Sequence, residues 1–194
     1  MKTRDMTLIA LFAVLTIIGG KISLSVASVT FSLQSLVCLL AGLMLGARRA
    51  MLSQVIYILL GLIGLPVFAK GGGLGYVLEP TFGFIPGMLL AAGLIGLISD
   101  RIDPDRTGLK VWQAIPINIA GQVVIYFFGV TYLYLIRNFY AGQDMSFVRA
   151  VQLGMIPYLI FDLMKSLLAG VIGPRLRRVT SIFSRARPAA KVTD

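Results

Sequence analysis

Apolar positions run along this chain in six long blocks, parted by short polar or glycine-rich interruptions. The blocks cover roughly residues 6–20, 33–47, 50–65, 82–99, 111–136 and 150–173. A helix needs about 20 mostly apolar residues to cross the hydrocarbon core of a bilayer. The pattern therefore predicts an all-α integral membrane protein with six transmembrane helices. Several blocks end in helix-stopping chemistry: Gly19-Gly20 after the first, Leu65-Pro66 after the third and Gly173-Pro174 after the sixth. Glycine accepts the left-handed conformation that closes a helix, and proline cannot continue the hydrogen-bond ladder.

Two interruptions are unlike ordinary connectors. Residues 21–32 alternate Ile22, Leu24 and Val26 with Ser23 and Ser25, the period-2 signature of a half-buried extended segment. Residues 66–81 read PVFAKGGGLGYVLEPT, too apolar for a solvated loop and too rich in glycine for a helix. Irregular backbone at membrane depth persists only where protein or a cavity covers it. The pattern thus predicts two partly buried loops. The second is either a packed plug or a lid over a pocket, its glycines supplying close approach and hinge freedom.

Charge orients the stack. With the N-terminus inside, thirteen bases fall on the cytoplasmic side: Lys2, Arg4, Arg48, Arg49, Arg101, Arg106, Lys110, Arg175, Arg177, Arg178, Arg185, Arg187 and Lys191. Four fall outside: Lys21, Lys70, Arg137 and Arg149. The positive-inside rule then places both termini in the cytoplasm and both unusual loops on the outer face. The segment Asp100–Arg106 interleaves three carboxylates with arginines and a proline and reads as a solvated cytoplasmic connector. The division expected is a six-helix domain over 1–174 and a basic cytoplasmic tail over 175–194 lying on anionic lipid. The first block reads as a span rather than a removable leader.

Composition narrows the function. The chain has 194 residues, 57% hydrophobic and 13% charged, with a mean hydropathy of +0.88. A soluble domain carries about 25% charged residues, so no room is left for one here. The net charge of +10 would suggest nucleic acid in a soluble protein. Here the bases sit between apolar blocks and serve topology, so no nucleic-acid partner is expected. Histidine is absent and Cys38 is the single cysteine, so neither a metal cluster nor an internal disulfide is proposed. Gly71-Gly72-Gly73-Leu74-Gly75 lacks the terminal Gly-Lys-Ser/Thr of a nucleotide loop. The patterns Gly42–Gly46 and Gly83–Gly87, with Ala91, Ala92, Gly93 and Gly96, read as surfaces for close helix packing.

The strongest chemical signal is Asp162 with Lys165 in the sixth block. Each costs about 2.5–3.5 kcal/mol at the bilayer centre on insertion scales. A spacing of three puts them on one helix face, with Tyr158 one turn earlier. Two readings stand: an ion pair that neutralises itself within the bundle, or a ligand site offering one acceptor and one donor. In the fifth block Asn118, Gln122 and Tyr126 recur at i, i+4, i+8 and form one stripe. Amides facing lipid would lack partners, so the stripe should face inward, either to join helices or to line the pocket of Asp162. Nothing in the pattern calls for a cofactor or for catalysis.

The run Gly64-Leu65-Pro66-Val67-Phe68-Ala69 followed by Gly71-Gly72-Gly73, then Pro80-Thr81-Phe82-Gly83-Phe84, and the pair Asp162-x-x-Lys165 resemble the biotin-specific substrate-binding (S) component of energy-coupling-factor (ECF) vitamin transporters. The resemblance covers most of the chain. It implies a multi-pass protein of the bacterial inner (cell) membrane that captures biotin from outside and is not an enzyme. It further implies a transmembrane coupling subunit and two ABC-type ATPases as partners, although some members are thought to work without a dedicated set. The Ala-x-x-x-Ala patch common on the first helix is imperfect, since Val14 follows Ala10 and Ile17 follows Ala13. For such a ligand Asp162 would accept from the ureido N–H groups, and Lys165 or Gln122 would donate to the ureido oxygen. Phe31, Tyr76, Phe84, Tyr126 and Tyr158 would form the walls. Lys70 and the glycine run, Gly73 included, would take the valerate carboxylate, and Asn118, Glu79 and Thr81 would add polar contacts. The same scaffold would also serve another vitamin.

Overall fold

The structure is a computed structural model that describes residues 3–26, 29–106 and 108–185; side chains are described outside 24–30 and 181–185. The described residues form seven α-helices and one two-stranded ribbon: α1 (Thr3–Lys21), β1 (Ser23–Val26), β2 (Val29–Ser32), α2 (Gln34–Leu45), α3 (Ala47–Leu62), α4 (Phe84–Ile102), α5 (Val111–Leu135), α6 (Phe147–Gly154) and α7 (Leu159–Arg185). A π turn, Ile136–Tyr140, prolongs α5.

Helices α1, α4 and α5 with its extension are long and apolar enough to cross a membrane, and α6 with α7 makes a fourth candidate if the bent pair counts as one span. The other two predicted spans are shorter. Gly46, at φ +77°, parts α2 from α3, leaving helices of 12 and 16 residues. At 1.5 Å per residue, α2 is only about 18 Å long. The sixth block is likewise not one helix, since α6 and α7 meet at 56°. Pro157 sits in the break; proline disfavours helical geometry in the residue before it.

The period-2 segment forms the ribbon, with Ser23 opposite Ser32 and Leu24 opposite Phe31. The chain is thus helical with one small hairpin rather than wholly α. Residues 66–81 form a Phe68–Gly71 bridge and a 3-10 turn over Leu74–Leu78. Phe68 is fully buried and stacks near Tyr57 and Tyr76, with centroids 5.4 and 4.5 Å away. Its ring occupies the space beside Gly61 that any Cβ there would need. The Gly73 N–H donates to the Gly61 carbonyl at 2.7 Å. The loop is therefore pinned to α3 at Phe68, while Lys70 and Leu74 stay exposed.

In the bundle α4 packs on α2, α3 and α5, and α7 packs on α2 and α5. Small residues permit this. A Cβ on Gly96 of α4 would come within 2.2 Å of the Ala47 backbone nitrogen.

The predicted stop at Gly173-Pro174 does not occur. Helix α7 runs through Pro174 to Arg185, and Arg177, expected in a surface-lying tail, is 0% exposed. Its Nη1 donates to the Leu43 carbonyl, its Nη2 to the carbonyls of Ser99 and Asp103 (3.1 and 2.9 Å), and its Nε to Asp103 Oδ2 (3.3 Å). Asp100 Oδ1 accepts at 2.9 Å from both Arg177 and Arg106, and Arg106 also donates to the Met44 carbonyl. Helix ends leave their last carbonyls without partners, and here two guanidiniums supply donors to the ends of α2 and α4. The Asp100–Arg106 connector is thus a partly buried ionic joint, not a solvated turn. Residues 186–194 of the expected tail lie outside the described residues.

Candidate functional site

Helix α7 turns its polar residues inward. Asp162, Ser166, Ala169, Gly170, Gly173 and Arg177 are buried, while Ile160, Leu163, Met164, Leu167 and Leu168 are exposed. A soluble helix has the reverse pattern; apolar outside and polar inside suits a lipid solvent. On α5 the expected stripe also faces inward: Asn118 is 0% exposed, Gln122 5% and Tyr126 7%.

The two stripes meet at the Asp162 carboxylate, itself 7% exposed. Oδ2 accepts from Tyr126 Oη at 2.5 Å and from Gln122 Nε2 at 3.2 Å. Oδ1 accepts from Lys165 Nζ at 2.6 Å and from Ser35 Oγ at 3.3 Å. Lys165 also donates to Ser35 Oγ and to the Ser32 carbonyl, both at 2.9 Å. Asn118 donates to the Ser166 carbonyl at 3.2 Å, which holds α5 against α7 one turn further along. Beside this network, Gln122 Oε1 and Asn118 Oδ1 are buried acceptors without a hydrogen-bond partner. A buried acceptor without a donor costs about 1–3 kcal/mol, so this side of the network is open to an added N–H.

Aromatic rings adjoin the pair. Phe31, on β2, lies 5.5 Å from Tyr158 and 4.0 Å from Phe161, centroid to centroid. An apolar groove of about 240 Å³ borders Tyr126 between α5 and α6, with Val123, Phe127, Val130, Phe147 and Met155 among its walls.

The structure thus joins Asp162, Lys165, Gln122 and Tyr126 in one network, with Asn118 a turn away and Phe31 and Tyr158 alongside. The other sequence candidates have different surroundings. Lys70 pairs with Glu79 at 2.8 Å on the exposed part of the outer loop. Tyr76 stacks with Phe68 beneath that loop, and Thr81 is exposed near its end. Gly73 holds φ +100° at the start of the 3-10 turn. Phe84 fills the notch at Gly129 between α4 and α5. Two members of the network were not foreseen, Ser35 and the Ser32 carbonyl. A serine in the first turn of an apolar block carries no distinguishing spacing, and a backbone acceptor carries no sequence signal.

The sequence matches the BioY family over residues 1–182. The chain belongs to the BioY family. Among BioY relatives, the "Probable biotin transporter BioY" of Lysinibacillus sphaericus is 37% identical over 179 residues, spanning 92% of this chain and 89% of that one. The "Biotin transporter BioY" of Rhizobium etli is 37% identical over 180 residues, spanning 89% and 92%. The "Probable biotin transporter BioY" of Pyrococcus horikoshii is 34% identical over 178 residues, spanning 91% and 98%. These BioY proteins are named as transporters, not enzymes. The BioY fold described above superposes on the crystallographic S-component for biotin from an ECF-type ABC transporter with a TM-score of 0.78, at 24% identity, over 92% of this chain and 95% of that one. That likeness shows the fold.

Proposed function

We propose that this BioY-family chain binds biotin within the membrane as the S component of an ECF-type transporter. The observation that carries the reading is the buried Asp162–Lys165 pair bordered by the unpartnered acceptors Gln122 Oε1 and Asn118 Oδ1. Biotin's ureido ring has two N–H donors and one strong acceptor oxygen. Asp162 and Gln122 accept from the N–H groups, and Lys165 donates to the oxygen. Bonds with an ionised partner are roughly twice as strong as neutral ones. Phe31, Tyr126 and Tyr158 flank the fused ring, and Asn118 adds a polar contact. Tyr76, Glu79, Thr81 and Phe84 belong to the outer part of the site. Lys70 leaves Glu79 to meet the valerate carboxylate, together with the backbone around Gly73.

In this reading the chain crosses a bacterial cell membrane six times, with both termini cytoplasmic. Helices α2 and α3 are two of the crossings, and α6 with α7 is the last. The chain lacks a nucleotide loop, so a transmembrane coupling subunit and two ABC-type ATPases supply the energy.

Labelled-biotin binding to the purified protein in detergent tests this. Saturable binding that thiamine and riboflavin do not displace is the expected result. Displacement by either vitamin reassigns the pocket, and no saturable biotin binding ends the proposal.

A further inference from the structure

In the structure the acid–base pair has no spare capacity. A carboxylate offers about four lone-pair directions and an ammonium three protons. Asp162 receives Tyr126, Gln122, Lys165 and Ser35. Lys165 gives its protons to Asp162, Ser35 and Ser32. A polar ligand that engages both groups must therefore exchange with one of these partners. The Ser35 contact to Asp162, at 3.3 Å, is the longest of the four on the carboxylate. The same hydroxyl accepts from Lys165 at 2.9 Å, and that acceptance does not depend on where its own proton points. Ser35 is buried, in the first turn of α2 directly after the ribbon.

We infer that Ser35 is a positioning residue for ligand capture. This rests on the binding reading above. Its oxygen accepts one of the three Lys165 protons and so fixes where the ammonium sits beside Asp162, and its own proton occupies carboxylate Oδ1 until a ligand N–H takes that place. The hydroxyl then turns without releasing Lys165. Without it, one Lys165 proton loses its acceptor, and the ammonium is no longer held in place when the ligand draws on Asp162.

The test is biotin binding by Ser35→Ala, Ser35→Cys and Ser35→Thr, alone and combined with Lys165→Ala. Ser35→Ala should weaken binding at least about fivefold, in line with losing one hydrogen bond to a charged group. Ser35→Cys keeps the volume but offers a poor acceptor, so it should behave like Ser35→Ala. If Ser35→Ala fails to fold, Ser35→Cys decides. Ser35→Thr keeps the hydroxyl and should stay within about twofold of wild type. On the residual binding of Lys165→Ala, the second change should have no effect, because the group it positions is gone. A purely packing role would weaken binding equally in both backgrounds, and that outcome overturns the inference. So does unaltered affinity in Ser35→Ala or Ser35→Cys while wild type binds biotin. Absence of biotin binding by wild type instead overturns the functional reading beneath it.

Discussion

Helix α7 carries two buried charged clusters fifteen residues apart, one around Asp162 and one around Arg177. Their hydrogen bonding differs. At Arg177 every guanidinium nitrogen has an acceptor, and several of these are helix-end carbonyls that would otherwise be orphaned. At Asp162 the charges are paired, but amide oxygens beside them are left without donors. Ser99 Oγ beside Arg177 is also without a partner, so the contrast is one of degree: a neutral hydroxyl at the joint against two amide oxygens beside Asp162. Burial of charge alone does not distinguish a joint from a pocket; what the charge is bonded to does, helix-end carbonyls at Arg177 and side chains from facing helices at Asp162.

This contrast predicts different phenotypes. Arg177→Ala takes the cation from Asp103, which keeps the N–H groups of Gly108 and Leu109, and opens the ends of α2 and α4, and breaking a buried pair costs about 3–5 kcal/mol. The protein should be lost from the folded fraction on size-exclusion chromatography, or its ligand-free melting temperature should collapse. A stable, biotin-binding Arg177→Ala protein would erase the distinction. Asp162→Asn and Lys165→Ala should each weaken biotin binding at least about tenfold, or 1.4 kcal/mol. Asp162→Asn keeps the shape and one of the two accepting oxygens but removes the counter-charge of Lys165, so it should lower the ligand-free melting temperature, yet by less than Arg177→Ala does. Wild-type affinity in both variants would reduce the upper cluster to a second joint. The smallest effect belongs to the exposed Lys70–Glu79 pair. Exposed ion pairs contribute about 0–1 kcal/mol, so Lys70→Ala should leave thermal stability unchanged and act only on affinity, through the ligand carboxylate. A large loss of stability would show that the outer loop is held by this pair rather than by Phe68.

The upper cluster was largely legible in the sequence. Asp162 and Lys165 at i, i+3, and Asn118, Gln122 and Tyr126 at i, i+4, i+8, report helical faces directly, and lipid forces such groups inward. The ribbon was legible too, because alternation at residues 22–26 has an extended period. The lower cluster was not. Arg177 follows Gly173-Pro174 within a run of bases, so local signals indicated a helix stop and a surface tail. Its burial depends on carboxylates and carbonyls from α2 and α4, more than 70 positions away, which no local window contains. The division at Pro157 was visible as a proline, but continuous hydrophobicity on both sides hid it. Hydropathy counts apolar residues and does not register a change of axis.

The contacts of Lys165 with Ser32 and Ser35 link positions 133 and 130 apart in the chain. Such distant pairings come late in folding, because the loop between them must close first. The ribbon, α2 and α5 are all synthesised before their charged counterpart emerges. A nascent chain halted ahead of α7 would carry only half of a receptor: the amides of Gln122 and Asn118 and the hydroxyls of Tyr126 and Ser35, with neither the carboxylate nor the ammonium to organise them.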